Sequence, residues 1–547
     1  MVRPVNGGPK TRYSAASTPE HAPTAAEGWR LERLVAPSRL FGANGLRTGP
    51  DGRVYIAQVT GSQISALNLS TGELETISAK GGDIIAPDDV AFDDKGNLYA
   101  TEVMDGRVSV RDTAGTTRVL RDDIPSANGI TFHNGRLFVG ECREGGRLME
   151  FDLTGGPPKV LVKNVPSPNA MEVGPDGLLY FPVMGANEIW RIDPGGERRG
   201  DPERIATGLG VPDSVKFDAD GFIVSTQVAS GQVLRIDPRT GAQTVLAQLT
   251  PGLDNCTIAH GRLFVSNFTG EITEILGGGE TRTTFPGALN WPLDVAVGAD
   301  GLVYVADGTY FYALLPGEEM HHLKTVGMLF SPGYPGFLRG LVASGPGEFT
   351  VTTSGGQVAR YRPAGNECEY LADGFDQLYG VALLPGAVVA VEQGAGQVVA
   401  VDGSGGVEVL ASGLDTPVGV TVTTDGSVLV SDVGRVVRVS GGRPETVIDG
   451  LDRPQGILAS DGQLFIVDAG EKTVIAVDLD SGARTTIATG LPVGPPPGVN
   501  PKPLKGMPPF SGPQGPFAGI AAGPDGTLYV SADGEGSVLA LRRGRST

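Results

Sequence analysis

Six short acid and amide side chains recur along the first half of the chain at nearly even spacing: Asn44, Asp88, Asn128, Asn169, Asp213 and Asp254, in steps of 44, 40, 41, 44 and 41 residues. If these positions converge, their oxygen-only donor set suits a hard divalent cation, Ca²⁺ first, with Mg²⁺, Mn²⁺ or Zn²⁺ as alternatives. Two carboxylates about 4 Å apart repel by about 4 kcal/mol at an effective dielectric near 20, so an empty cluster would raise a carboxyl pKa or recruit a metal. In the second half the corresponding positions read Leu293, Arg339, Tyr379, Val418, Gln455 and Ala518. The polar set therefore belongs to one half only, which argues against Asn and Asp serving there merely as turn formers.

A second recurrent position reads Gln58, Glu102, Glu141, Val183, Gln227 and Asn267, then Asp307, Thr353, Glu392, Asp432, Asp468 and Ala532. Acids occur there in both halves, so Asp307, Asp432 and Asp468 are read as loop braces. Glu102 and Glu141 lie near the polar set and are less readily read as braces alone.

The elements that must position these residues are short strands. Segments such as Leu98-Tyr99-Ala100 and Leu137-Phe138-Val139 are bounded by Asn-Gly or Asp-Gly pairs that favour tight hairpins, and helical periodicity is nearly absent. About twelve such units follow one another, each the length of a four-stranded propeller blade. The fold expected is all-β, two tandem six-bladed β-propellers of four-stranded antiparallel blades. The expected divisions are a flexible tail at 1–28, a first propeller at 29–278 and a second at 279–547 with long loops at 315–337 and 491–517. In this scheme Arg30 to Val35 completes the last blade of the first ring and Thr281 to Phe285 that of the second. A single twelve-bladed ring, closed by Trp29 to Val35 beside the strand ending near Leu541, has the same strand count.

The 547 residues exceed what one hydrophobic core supports, and 83 glycines and 41 prolines beside 40% hydrophobic residues fit a turn-rich β protein. A net charge of −19 disfavours nucleic acid and anionic membrane as partners. Cys142, Cys256 and Cys368 form no CxxC pair, and Met1 to Gly28 lacks the apolar run of a signal or membrane segment, so a cytoplasmic protein is expected. Histidine offers no channel base: His133 and His260 fall in turns, His21 in the tail and His321-His322 in a long loop.

The tetrads Ala127-Asn128-Gly129-Ile130, Pro168-Asn169-Ala170-Met171 and Pro212-Asp213-Ser214-Val215 resemble the metal-site segments of the SMP-30/gluconolactonase family of six-bladed propeller enzymes. A looser similarity runs to NHL-repeat proteins. The resemblance implies a channel metal held by Asn128, Asn169 and Asp213. Asn44 stands where the family has a first-blade Glu, and Asp88, Asp254 or Glu102 would compensate. The activity it implies is metal-dependent hydrolysis of a lactone or related ester, with Asp213 as ligand and base, Glu102 or Glu141 as a supporting acid or base, and a small molecule as the partner. The alternatives are a metal-assisted lyase, isomerase or cyclase acting on a specialised metabolite, and a non-catalytic NHL-like binding scaffold. The second half fits the scaffold reading best, and its Pro/Gly-rich loop at 491–517 would be a lid or contact segment.

Overall fold

Left-handed backbone positions punctuate the chain where adjacent strands reverse. Asn134 and Gly135, at φ 49° and 76°, join Ala127–His133 to Arg136–Glu141, and His260 and Gly261, at 51° and 73°, join Leu253–Ala259 to Arg262–Asn267. Two consecutive positive φ values match the right-handed twist of the strands they connect, which is why Asn-Gly recurs there. In the computed structural model, residues 11–13, 22–195 and 201–544 are described. They form twelve antiparallel sheets, eleven of four strands and one of five.

The chain divides into two compact units. The first propeller comprises Leu40–Ala288 together with Val499–Met507, and its six sheets run in sequence order from Leu46–Thr48 to Glu280–Phe285. Its ring closes when Leu46, Val54 and Ile56 of the first sheet join Ala259, Phe264 and Ile272 of the sixth in one core cluster. Thr48 N and Thr257 Oγ1 bond across the same seam at 3.0 Å. Apolar side chains pack between neighbouring sheets in this way all round. Inner strands such as Val54–Gln58 are buried at every residue, whereas outer ones such as Gln243–Gln248 are largely exposed.

The second propeller comprises residues 11–39, Leu289–Gly498 and Pro508 onward. Its last sheet takes its outer strand from the other end of the chain: Trp29–Arg33 pairs antiparallel with Ser537–Arg543, from Trp29↔Arg543 to Arg33↔Leu539. Gly519 N and Ser531 Oγ then bond Leu293 O at 2.9 and 2.7 Å, closing that ring.

Two expectations are corrected here. The segment Arg30 to Val35 completes the second propeller, and Thr281 to Phe285, within Glu280–Phe285, stays with its neighbour Ile272–Gly277 in the first. The cause is local: Gly277, Gly278 and Gly279 all have positive φ, so the chain turns back immediately and pairs with the strand it has just left. The boundaries 29–278 and 279–547 shift accordingly, and closure of two separate rings excludes the single twelve-bladed alternative. Of the expected tail 1–28, residues 1–10 and 14–21 lie outside the described residues. Arg12 is buried within the second propeller, donating to Asn290 O and Ser38 Oγ, and Thr24–Ala25 forms a strand beside Arg484–Thr489. No helix among the described residues is long and apolar enough to cross a membrane.

One charged group ties the first ring across its axis. Arg47 donates to Val90 O at 2.9 Å, Ile130 O at 2.8 Å and Glu172 Oε2 at 2.8 Å, so a single guanidinium from the first sheet reaches the second, third and fourth. Lys216 of the fifth sheet joins the same carboxylate at 3.1 Å. At the corresponding places the second propeller has Ala296, Val342, Ala382, Thr421, Leu458 and Ala521, which line a cavity of about 330 Å³.

Two outcomes follow. Burial alone would raise the Glu172 carboxyl, but Lys216 and Arg47 outweigh it and hold it at about 2. Its folded pKa thus lies below its unfolded value, so its stabilisation is present above pH ~4.5 and lost as pH falls towards 2. Glu172→Gln, which strands two cations, is expected to cost about 3 kcal/mol in urea unfolding at pH 7 and less at pH 3; equal losses at both would contradict the ion triad. Removal of residues 1–35 is expected to abolish the calorimetric transition of the second propeller and spare that of the first, and two intact transitions would rule out closure by Trp29–Arg33.

Candidate functional site

The residues expected in the first channel are aimed by a repeated irregularity of the inner strand. Pro87 pairs with Glu102, Ala127 with Glu141 and Leu253 with Asn267, and after each pair the register shifts, resuming at Val90, Ile130 and Cys256. The extra residues at each shift are Asp88-Asp89, Asn128-Gly129 and Asp254-Asn255. Such a bulge leaves backbone out of the ladder and redirects the side chain. Isolated bridges Pro168↔Val183 and Pro212↔Gln227 place Asn169 and Asp213 at the same point of their blades.

The six side chains form three amide–acid pairs between neighbouring blades. Asn44 Nδ2 donates to Asp254 Oδ2 at 3.0 Å, Asn169 Nδ2 donates to Asp213 Oδ2 at 3.0 Å, and the Asn128 amide neighbours Asp88 and favours its charged form. All are buried except Asn44, which is half-buried. With their amide nitrogens turned to the acids, Asn128 Oδ1 and Asn169 Oδ1 are buried and have no hydrogen-bond partner. A buried acceptor left unsatisfied costs about 1–3 kcal/mol, so each awaits an electropositive group. Asn44 Oδ1 is already engaged by Val59 N at 3.1 Å.

Burial, then the neighbouring Asp89, pushes the Asp88 carboxyl up to about 7. Asp213 and Asp254 are driven well above the ordinary carboxylate range by burial and then by repulsion from the other acids. Among the described residues no three His, Cys, Asp or Glu side chains could hold a metal by themselves, so a cation here must also take amide oxygens. The two free amide oxygens beside Asp213 fit a hard, oxygen-seeking divalent ion.

Glu102 and Glu141 are not brought into this cluster. Glu102 accepts from Ile85 N at 2.6 Å, Arg107 Nε at 3.1 Å and Ser109 Oγ, and Glu141 accepts from Arg143 and Arg147. The equivalent Gln58 accepts from Phe41 N, Gln227 from Gly210 N, Glu392 from Asp376 N and Asp468 from Arg453 N. Blades of both propellers thus use this position to brace the loop entering the blade, which explains why acids recur in both halves. Glu102 adds an arginine partner, as Asp432 does with Arg435 in the second propeller, whereas Glu141 accepts from Arg143 and Arg147 in place of a loop amide.

Sequence reasoning missed three features. Asp89 clasps Val90 N at 2.8 Å and Ile130 N at 3.3 Å, where other first-ring blades place Gly45, Gly129, Ala170, Ser214 and Asn255. A Cβ on Gly45 would lie 2.7 Å from Asp89 Oδ1, so the neighbouring blade must be small there. The Arg47–Glu172–Lys216 tie lies three residues beyond Asn44, Asn169 and Asp213, and its signal was the presence of charged residues at that position in the first half alone. Finally, the residue after each brace is apolar in the first propeller: Val59, Val103, Cys142, Met184, Val228 and Phe268. Met184 Sδ lies 3.0 Å from Asn169 Nδ2 and 3.7 Å from Cys142 Sγ, so these two side chains flank the polar ring.

Residues 11–267 match the family model described as SMP-30/Gluconolactonase/LRE-like region. No curated protein matches the chain. Among solved structures, a streptogramin B lyase aligns at 19% identity over 51% of this chain and 94% of its own, with a TM-score of 0.38. A gluconolactonase from Xanthomonas campestris aligns at 16% identity over 46% and 96%, with a TM-score of 0.37. A chain of a nidogen/laminin complex aligns at 21% over 37% and 78%, with a TM-score of 0.34.

The mutual repulsion has a measurable consequence. Because the folded pKa of Asp213 exceeds its unfolded value, its ionisation weakens the metal-free fold as pH rises above ~4. In EDTA at pH 7.5, Asp213→Asn is expected to stabilise the protein by about 1 kcal/mol in urea unfolding, with a smaller gain at pH 4.5. A destabilisation at pH 7.5 would mean that the bond to Asn169 outweighs the repulsion.

Proposed function

We propose that the SMP-30/gluconolactonase-like first propeller is a divalent-metal-dependent hydrolase of a lactone or related ester, acting at the acid–amide ring of its channel. The observation that carries this reading is the pair of unpartnered amide oxygens, Asn128 Oδ1 and Asn169 Oδ1, buried beside acids that no cation neutralises. Asn128, Asn169 and Asp213 would hold the ion, which when bound would polarise the ester carbonyl.

The chain's own groups divide the remaining work. Asp88, held near 7, is ready to take a proton from water at neutral pH, and this role suits it better than Asp213, whose oxygens serve as ligand. Asn44 keeps Asp254 oriented through its amide, and Asp254 completes the negative field of the ring. Arg47 and Lys216 are spent on Glu172, so they leave that field uncompensated. Cys142 and Met184 give the ring an apolar border, which favours a substrate with hydrocarbon next to its reacting carbonyl and excludes water around it.

The test is acid release from a panel of aliphatic and sugar lactones. Turnover is expected, abolished by EDTA and restored by Ca²⁺ or Mn²⁺. Asp88→Asn is expected to lower kcat at least 100-fold, while Glu102→Gln lowers the melting temperature and leaves kcat within about threefold. A panel left untouched by metal-loaded protein would overturn hydrolysis in favour of a lyase, isomerase or cyclase, and a catalytic collapse in Glu102→Gln would overturn the brace assignment.

A further inference from the structure

Among the described residues, the second propeller's channel holds a cation with no acid beside it, and only the Tyr379 side chain favours its charge. Arg339, at the position equivalent to the first channel's acids and amides, is 1% exposed. Its guanidinium stacks 4.1 Å above the Tyr379 ring of the next blade, and its Nη1 donates to Gln514 Oε1 at 3.1 Å. Arg339 Nε, Arg339 Nη2 and Gln514 Nε2 are buried without a hydrogen-bond partner.

These three orphans are all donors. An isolated buried charge is costly, and each unmade bond adds to that cost, so the missing complement must be negative and must accept hydrogen bonds. The two guanidinium nitrogens present a flat fork suited to a pair of oxygens on one group. Gln514 supplies the third donor from the loop at 491–517, and this loop seals the site. Gly512 N donates to Ser354 Oγ at 3.1 Å, a Cβ on Gly515 would lie 2.2 Å from Tyr379 Oη, and Phe517 stands edge-on to Tyr379 at 6.2 Å. Tyr379, Gln514 and Phe517 are all buried, so the unpartnered donors lie away from bulk solvent.

We propose that the second propeller's channel is a binding site for a small oxyanion, a simple carboxylate or an inorganic phosphate or sulfate, held by Arg339 Nε and Nη2 with Gln514 Nε2. The anion neutralises the guanidinium and fastens residues 511–517 over the channel. The proposal stands whether or not the first propeller is a hydrolase, because it uses none of that site's residues.

The test is calorimetric unfolding of the full chain at fixed pH and ionic strength, with formate in one series and phosphate in another. A saturable rise of roughly 2–5 °C in the second propeller's transition is expected in at least one series, and the series that responds identifies the carboxylate or the inorganic source. In Arg339→Met and Gln514→Leu the saturable rise should vanish, and without anion Arg339→Met should melt no lower than the parent. No saturable response to either anion, or an undiminished response in Arg339→Met, would overturn the proposal. If the variants do not fold, crystals of the parent soaked in selenate decide it: an anomalous peak within hydrogen-bond distance of Arg339 Nε and Nη2 supports the site, and its absence refutes it.

Discussion

Three carboxyl groups buried near one another, with no cation to neutralise them, are the constraint around which the first propeller is arranged. Asp213 and Asp254 each receive one amide bond from a neighbouring blade and Asp88 neighbours the Asn128 amide, enough to orient a carboxyl and too little to offset the loss of water around its charge. The two positive groups nearest the axis are bound to Glu172 one layer away. A ring that wanted only stability would bring Arg47 to the acids. Its separation from them stores electrostatic potential where a cation or a developing positive charge can use it.

The second propeller has the same backbone device and lacks that chemistry. Register shifts follow Leu338, Leu378 and Pro454 just as they follow Pro87, Ala127 and Leu253. In each propeller one aspartate clasps the amide of the following blade: Asp89 bonds Ile130 N, and Asp294 bonds Leu341 N at 2.8 Å. The bulge is therefore scaffold, shared by both rings, and only the residue placed on it differs. Blade geometry supplies six aimed positions, and each ring fills them according to the charge it must hold.

That separation explains what the sequence made legible. The blade repeat, its strands and the one-sided polar ring could all be read, because hairpin glycines and a fixed spacing report backbone directly. Strand exchange was harder: Trp29–Arg33 and Glu280–Phe285 have the same composition of outer strand, and only the tight Gly277-Gly278-Gly279 turn tells which stays at home. Glu102 and Glu141 were misjudged for a related reason. Nearness in sequence to the ring does not place a side chain on it, and the acids at this position in the other half were the better guide, since they accept loop amides. Arg47, Glu172 and Lys216 escaped notice because no pair of them is close in sequence, although together they cross the channel.

Residue type alone therefore does not assign a role among the acids of this protein; the supply of donors does. Asp468, with several backbone amides, and Glu102, with an amide, a hydroxyl and an arginine, have their negative charge fully used and hold loops. Glu172, with two cations, is held at about 2, below the ordinary carboxylate range, and holds blades together. Asp88, with one amide and an acidic neighbour, is left with a proton affinity near neutrality. The same rule works in reverse for Arg339, whose donors exceed the acceptors around it. In both channels the group whose hydrogen-bonding capacity the fold leaves unmet is the one on which the proposed ligand would act.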